Sequence, residues 1–344
     1  MITRTRLFLG LTLLFALALT WFRIPVASSQ GLTLVATKIG GELPLTNPAS
    51  ELWQQATAIE APLSAQNVAR PILLETRIKS VVTRALYNDQ QLALLVEWAD
   101  DTQNDQTLRV QDFRDGVAVQ FPLAEGQPFF CMGQQGGDVN IWHWKADWQA
   151  NMFAQRAMTT TYPNMYVDQY PFTEPAANVL LANYTAPNYL PAQAAGNLLA
   201  SASHTSPVED ILAGGFGSLT AQPLAEQNVQ GYGVWANGRW QVIFSRDLTS
   251  AEANDASFAP DKVYSVAFAA WDGANGERNG QKSTSQWVSL QLGGAAAPAA
   301  AAAAAPAVVT TTGSTGLSWL VLVGLLAVLS VTVAFFAYYF SLPK

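Results

Sequence analysis

Hydrophobic and polar residues alternate along several short stretches of this chain, and that alternation predicts strands. Leu92, Leu94, Val96 and Trp98 share one face of the stretch 91–98, the period-2 pattern of a half-buried strand. The stretch 78–87 precedes it across Asn88-Asp89, a hairpin-type turn. Further strands are predicted at 32–39, 116–121, 262–271 and 285–292. A second hairpin joins Val234-Trp235 to residues 240–245 through Asn237-Gly238. Residues 129–132 and 139–144 are extended as well, with Gly133, Gly136 and Gly137 marking the turn between them. Proline and asparagine break the pattern over 42–71, and it weakens again over 149–230, where a short helix capped by Ser206 is predicted at 206–213. So long an irregular region within a compact domain is usually functional or covered by a partner. The elements together predict an all-β fold, an antiparallel β-sandwich with long loops.

Both ends of the chain depart from this pattern. Arg4 and Arg6 precede an apolar run over 7–22, followed by the small residues Ala27, Ser28 and Ser29, which reads as a signal peptide or N-terminal anchor over 1–29. Residues 317–340 carry no charge, are long enough to cross a bilayer as a helix, and are flanked by Trp319, Tyr338 and Tyr339. Residues 293–316 are alanine, proline, threonine and glycine with nothing to build a core from, and read as a linker. The expected organisation is an exported domain over 30–292 on the extracytoplasmic face of the membrane. A single-pass anchor follows, and a tail, 341–344, lies in the cytoplasm.

Composition narrows the chemistry. A formal charge of −7 and a pI near 4.8 argue against a nucleic-acid partner, and no basic patch interrupts them. One cysteine rules out an intrachain disulfide, a covalent CxxCH haem site and an all-cysteine zinc or iron–sulfur site. With His143 and His204 the only histidines, a multi-histidine metal site is excluded too. No P-loop, dinucleotide fingerprint or nucleophile elbow is present. The densest chemistry lies in 128–148, where Cys131, Met132, His143 and the tryptophans Trp142, Trp144 and Trp148 crowd together. A thioether in such surroundings either fills a gap in a core or ligates a soft metal or haem iron. A haem with two axial ligands needs few donors, and the exported domain offers methionines, two histidines and Lys38, Lys79, Lys145, Lys262 and Lys282.

The blocks ALYNDQQLALLVEWAD, DGVAVQFP, FCMG followed by VNIWHWKADW, GGFGSLT, GVWANGRWQVIFSRDL and AFAAWDGANGERNGQKSTSQW occur in this order between residues 81 and 292. Together they resemble the haem-b-binding gamma subunit family of ethylbenzene dehydrogenase, which includes the gamma subunits of dimethylsulfide dehydrogenase, selenate reductase and chlorate reductase. The resemblance implies a β-sandwich holding one non-covalent haem b between a methionine and a lysine. It also implies a non-catalytic electron-transfer role beside a molybdenum-cofactor catalytic subunit and an iron–sulfur subunit, with a cytochrome c as a candidate external carrier. The methionine of FCMG corresponds to Met132, and the lysine is placed at Lys282 in NGQKSTSQW, with His204 as its competitor. Lys145 stands close to Met132 in sequence for a trans partner, and Lys262 begins a strand as a solvated residue. Trp142 and Trp144 are candidates for the pocket wall or for the sandwich core, and Arg246 or Arg278 for pairing with a haem propionate. The family's gamma subunits are typically soluble, so the anchor over 317–340 departs from them and suggests a membrane-bound assembly such as a nitrite oxidoreductase-like complex. A reading of another class stays beside this one: a membrane-anchored carbohydrate-binding module whose aromatic faces stack sugars.

Overall fold

A computed structural model describes residues 32–124, 132–154, 158–165, 197–198 and 204–293. The predicted signal segment, Cys131 with most of the strand 129–132, the linker and the apolar segment 317–340 lie outside these residues. Among the described residues no helix is long and apolar enough to cross a membrane.

Thirteen strands among the described residues, labelled in chain order, make the fold. They are β1 (Thr33–Lys38), β2 (Ile59–Ala65), β3 (Ser80–Tyr87), β4 (Gln91–Ala99), β5 (Gly116–Pro122), β6 (Val139–Lys145), β7 (Val208–Ala213), β8 (Thr220–Ala221), β9 (Gln230–Ala236), β10 (Arg239–Asp247), β11 (Val263–Trp271), β12 (Ser283–Ser285) and β13 (Val288–Leu292). One layer runs β9–β10–β4–β3 and continues to β1, β13 and the first half of β11; the other runs β8–β7–β6–β5 to the second half of β11 and β12. Two strands pass from layer to layer. β11 pairs with β13 over Val263–Val266 and with β5 over Ala267–Trp271, while β2 pairs with β3 and then with β12. The sandwich is mostly antiparallel as expected, except that β1 runs parallel to both β3 and β13.

Local chemistry explains the elements the pattern anticipated. In the β3–β4 turn the Asn88 side chain accepts hydrogen bonds from the Gln90 and Gln91 amides, and its own amide N–H bonds the Gln91 carbonyl. Asn237 and Gly238 both take positive φ, the requirement of the two-residue turn that joins β9 to β10. Between the layers Val117, Val119 and Phe121 of β5 meet Val96 and Trp98 of β4 and Val242 and Phe244 of β10. Trp98, Trp144 and Trp240 meet at the centre, with Trp144 edge-on to Trp240 at a centroid distance of 4.9 Å.

Several elements differ from the expectation. The predicted helix at 206–213 is strand β7: Ser206 does accept a hydrogen bond from Val208 N, but the chain beyond it pairs with β6. Both faces of β7 are covered, and Asp210 points inward to receive a hydrogen bond from Asn140, so no alternation was there to read. Strand β2 was missed because Pro62 lies in it, at the point where the pairing to β3 ends. A helix α1 (Ala146–Phe153) follows β6 directly and was not anticipated either; it has no side-chain cap on its first turn.

Candidate functional site

The outer face of the second layer carries a cavity of about 600 Å³. Its floor follows from strand register. Ala118 of β5 stands between His143 of β6 and Ala269 of β11, and Gln120 stands between Ile141 and Ala267. Gly116 and Trp271 form the next row. Alanine and glycine at these outward positions leave a flat platform in the middle of the sheet, and larger residues stand around it. At Gly116 even an added Cβ would lie 3.3 Å from His143 Nε2. Ala118, Ile141, Ile211 and Trp271 form an apolar cluster on this face, and Met132 packs against it.

Met132 and Lys282 meet at this cavity, with Lys282 Nζ 3.2 Å from Met132 Sδ. Met132 is held by the glycine-rich turn beside it. Gly133 takes a φ of +72°, and a Cβ there would come within 2.6 Å of the Ala213 carbonyl, so only glycine fits. The Met132 carbonyl in turn accepts a hydrogen bond from Gly215 N at 2.8 Å. Lys282 enters from the opposite side, just before β12, after a tight turn from Arg278 to Gln281 with Asn279 at positive φ. Gln66 fastens that turn: its side chain donates to the Gly280 carbonyl at 2.8 Å, and its amide N–H bonds the Lys282 carbonyl. The Lys282 ammonium also lies 5.3 Å from the centroid of the Trp271 ring.

The remaining residues singled out in the sequence fall in different places. Of the two places open to Trp142 and Trp144, the pocket wall and the core, both side chains lie in the core: they are fully buried on the inner face of β6, and neither lines the cavity. His204 stacks on Trp148 at a centroid distance of 3.8 Å and does not line the cavity. Arg246 is buried between the layers, where it pairs with Asp255 at 3.3 Å and sits over the Trp142 ring, so it too lies away from the cavity. Arg278 does line it, with its guanidinium 4.5 Å over the Phe113 ring. Lys145 is buried in an ion pair with Glu209 and lies over Trp148. Burial pulls its pKa down to about 8, against the opposing pull of Glu209. Lys262 is exposed.

Sequence reasoning missed several lining residues. His143, between two core tryptophans, faces the cavity and stacks on Trp271 at 4.5 Å. Its burial, helped by the positive charges of Lys145, Arg114 and Lys282, pushes the imidazole pKa well below its ordinary value. Arg70 and Arg114 join Arg278 among the lining residues. Arg114 is braced by Asp147 at 2.9 Å. The available signal was the run of small residues at alternate positions in β5 and β11.

This donor set fits a haem. The cavity volume lies within the range of cofactor pockets, its floor is flat and apolar, and arginines supply partners for carboxylates. Met132 and Lys282 are the residues that would offer the haem iron a thioether and an amine.

The fold and cavity define a β-sandwich with a thioether and an amine presented together over one outer sheet face. The sequence profile of the ethylbenzene dehydrogenase family matches residues 50–283, and the chain belongs to that family. It is 24% identical over 280 residues to a Haloferax mediterranei protein described as a respiratory nitrate reductase heme subunit, ORF7, covering 78% of this chain and 80% of that protein. It is 24% identical over 272 residues to the chlorate reductase subunit gamma of Ideonella dechloratans, covering 78% and 87%. It is 26% identical over 228 residues to the dimethylsulfide dehydrogenase subunit gamma of Rhodovulum sulfidophilum, covering 64% and 63%. Among solved structures, a family 9 carbohydrate-binding module from Caldicellulosiruptor kristjanssonii in complex with cellotriose aligns over 80% of this chain and all of that one. Its TM-score is 0.35 at 7% identity, a likeness too distant to bear on the ligand.

Proposed function

We propose that this chain is the haem b electron-transfer subunit of a membrane-associated molybdoenzyme complex, with Met132 and Lys282 as the axial ligands of a single non-covalent haem. The contact between the Met132 thioether and the Lys282 amine over the alanine platform carries the reading. A haem held by Met132 and Lys282 would supply one-electron transfer. The chain's own residues do the rest. Gln66 and the glycine-rich turn fix the two donors, Trp271 and the apolar floor exclude water, and Arg70, Arg114 and Arg278 offer charge to propionates. A lysine that ligates iron does so as the neutral amine.

In this reading the bond chemistry lies in a molybdenum-cofactor subunit, and the haem exchanges electrons between an iron–sulfur subunit and an external carrier such as a cytochrome c. The apolar segment 317–340 tethers the sandwich to the extracytoplasmic face of the membrane. One preparation tests these elements together. The full chain is expected to leave membranes only with detergent and to co-purify with molybdenum and an iron–sulfur protein. Dithionite should then produce a sharp reduced haem spectrum. A colourless chain that migrates alone after crosslinking would overturn the assignment.

The platform makes a separate prediction. Ala269 points outward into the cavity from a strand whose other face is core, so Ala269→Trp fills the cavity without crowding the sandwich interior. Haem per chain should fall by roughly tenfold or more, while the unfolding temperature stays within a few degrees of the parent, as for substitutions outside the core. Full haem loading in Ala269→Trp would mean that the ligand lies elsewhere.

A further inference from the structure

Close to the rim of the cavity, but outside its donor pair, three carboxylates converge from distant parts of the chain. Asp100 follows β4, Asp115 immediately precedes β5, and Asp272 immediately follows β11. One carboxylate oxygen from each lies within 4.8 Å of the others. Asp115 is fully buried, Asp100 is 8% exposed and Asp272 is half-buried, which leaves the group one side open to solvent.

Hydrogen bonds hold the group in shape. Asp115 accepts from the amides of Asn104 and Gly273 and from the Trp240 indole. Asp100 accepts from the Thr102 amide and hydroxyl through Oδ1. Asp272 accepts from the Asn275 amide, and Glu277, itself buried, accepts from the amide of Asp272. Among the described residues no lysine or arginine forms an ion pair with any of the three. Three converging carboxylates therefore face one another with no cation from the described residues between them, an arrangement that is costly unless it is offset.

A second observation points to what offsets it. The other oxygen of Asp100, Oδ2, is enclosed and has no hydrogen-bond partner. The Trp98 indole N–H lies towards this carboxylate, yet it misses hydrogen-bonding geometry and is itself unpaired. A buried carboxylate oxygen without a hydrogen-bond partner, on a member of such an acidic group, is a ligand atom in search of a positive charge. The donors are all oxygen, with no sulfur or imidazole, which selects a hard cation. Calcium–oxygen bonds of about 2.4 Å allow ligand oxygens up to roughly 5 Å apart, in accord with the spacing here.

We propose that Asp100, Asp115 and Asp272 bind one divalent cation of the calcium class. The ion ties the loop between β4 and β5 to the loop between β11 and β12. The first loop carries Phe113 and Arg114, and the second carries Arg278 and Lys282, all of which line the cavity. The cation is thus a staple at the rim, and its binding does not depend on what fills the cavity.

The test uses the full chain in detergent, stripped with EGTA, and calcium chloride alone as the probe. Equilibrium dialysis should find saturable binding of about one calcium per chain, accompanied by a rise in unfolding temperature. Asp100→Asn and Asp272→Asn should each weaken binding by roughly tenfold or more, while Asp101→Asn, exposed beside the site, leaves it unchanged. Asp272 is half-buried, so Asp272→Asn keeps the test decisive if Asp100→Asn does not fold. A folded parent chain that takes up no calcium at millimolar concentration overturns the proposal. So does calcium binding of undiminished affinity in a folded Asp272→Asn chain.

Discussion

Lys282→Ala is expected to convert the protein from a low-spin, six-coordinate haem spectrum to a high-spin one, or to leave the chain without haem. The reason is positional. Lys282 Nζ lies 3.2 Å from Met132 Sδ, and among the described residues no other lysine lines the cavity. Lys145 is committed to its buried pair with Glu209, and Lys262 is exposed. The loss of affinity should be on the order of 100-fold, at least what a metal site loses when a ligand's supporting partner is removed. His204→Ala is the matched control: the ring stacks on Trp148, and its removal should leave the low-spin spectrum intact. Met132→His should retain haem at a lower reduction potential, since a thioether ligand raises the potential of haem iron. A low-spin spectrum that persists in Lys282→Ala would remove lysine from the coordination sphere and return the second ligand to His204 or His143.

Trp144→Ala should produce the largest loss of stability, about 3–5 kcal/mol, a cost typical of truncating a buried tryptophan. The side chain is fully buried, its ring meets Trp98 and Trp240 edge-on, and its indole N–H donates to Gln149 at 2.9 Å. Gly233 lies so close beneath it that a Cβ there would fall 2.4 Å from the Trp144 ring, so no neighbour is poised to refill the space. For a domain of this size the shift in unfolding temperature is roughly 10 °C. The folded fraction of Trp144→Ala should keep its haem spectrum, because the ring does not reach the cavity. Loss of haem at unchanged stability would place Trp144 in the pocket wall after all.

The two variants exchange the roles that adjacent residues suggest on paper, and strand β6 explains why. Alternation along Val139–Lys145 puts Trp142 and Trp144 on one face and His143 on the other, and that much is legible in the sequence. The direction of the core is not, because β6 is covered on both sides and nearly every position in it is buried. A period-2 pattern with two buried faces carries no sign. The same blindness hid β7, where an inward Asp210 that accepts a hydrogen bond from Asn140 mimics the polar face of a helix.

By itself the sequence determined the β-rich class, through alternation in β3, β4 and β10 and through turn residues whose backbone preferences are local. It also determined membership in a family, because six ordered blocks of residues resemble that family and its profile matches residues 50–283. The composition excluded disulfide and multi-histidine chemistry, since those need residues the chain does not contain. Only the tertiary structure decided which donors share a site. Met132 and Lys282 come from the turns before β6 and before β12, and Gln66 from a third segment holds the second of these turns. The floor of the cavity was invisible for a related reason: alanine and glycine at Gly116, Ala118, Ala267 and Ala269 announce nothing singly, and become a platform only when register aligns them. Asp100, Asp115 and Asp272 look like solvated loop charges in sequence. Burial and convergence, which are properties of the folded chain alone, turn them into a site.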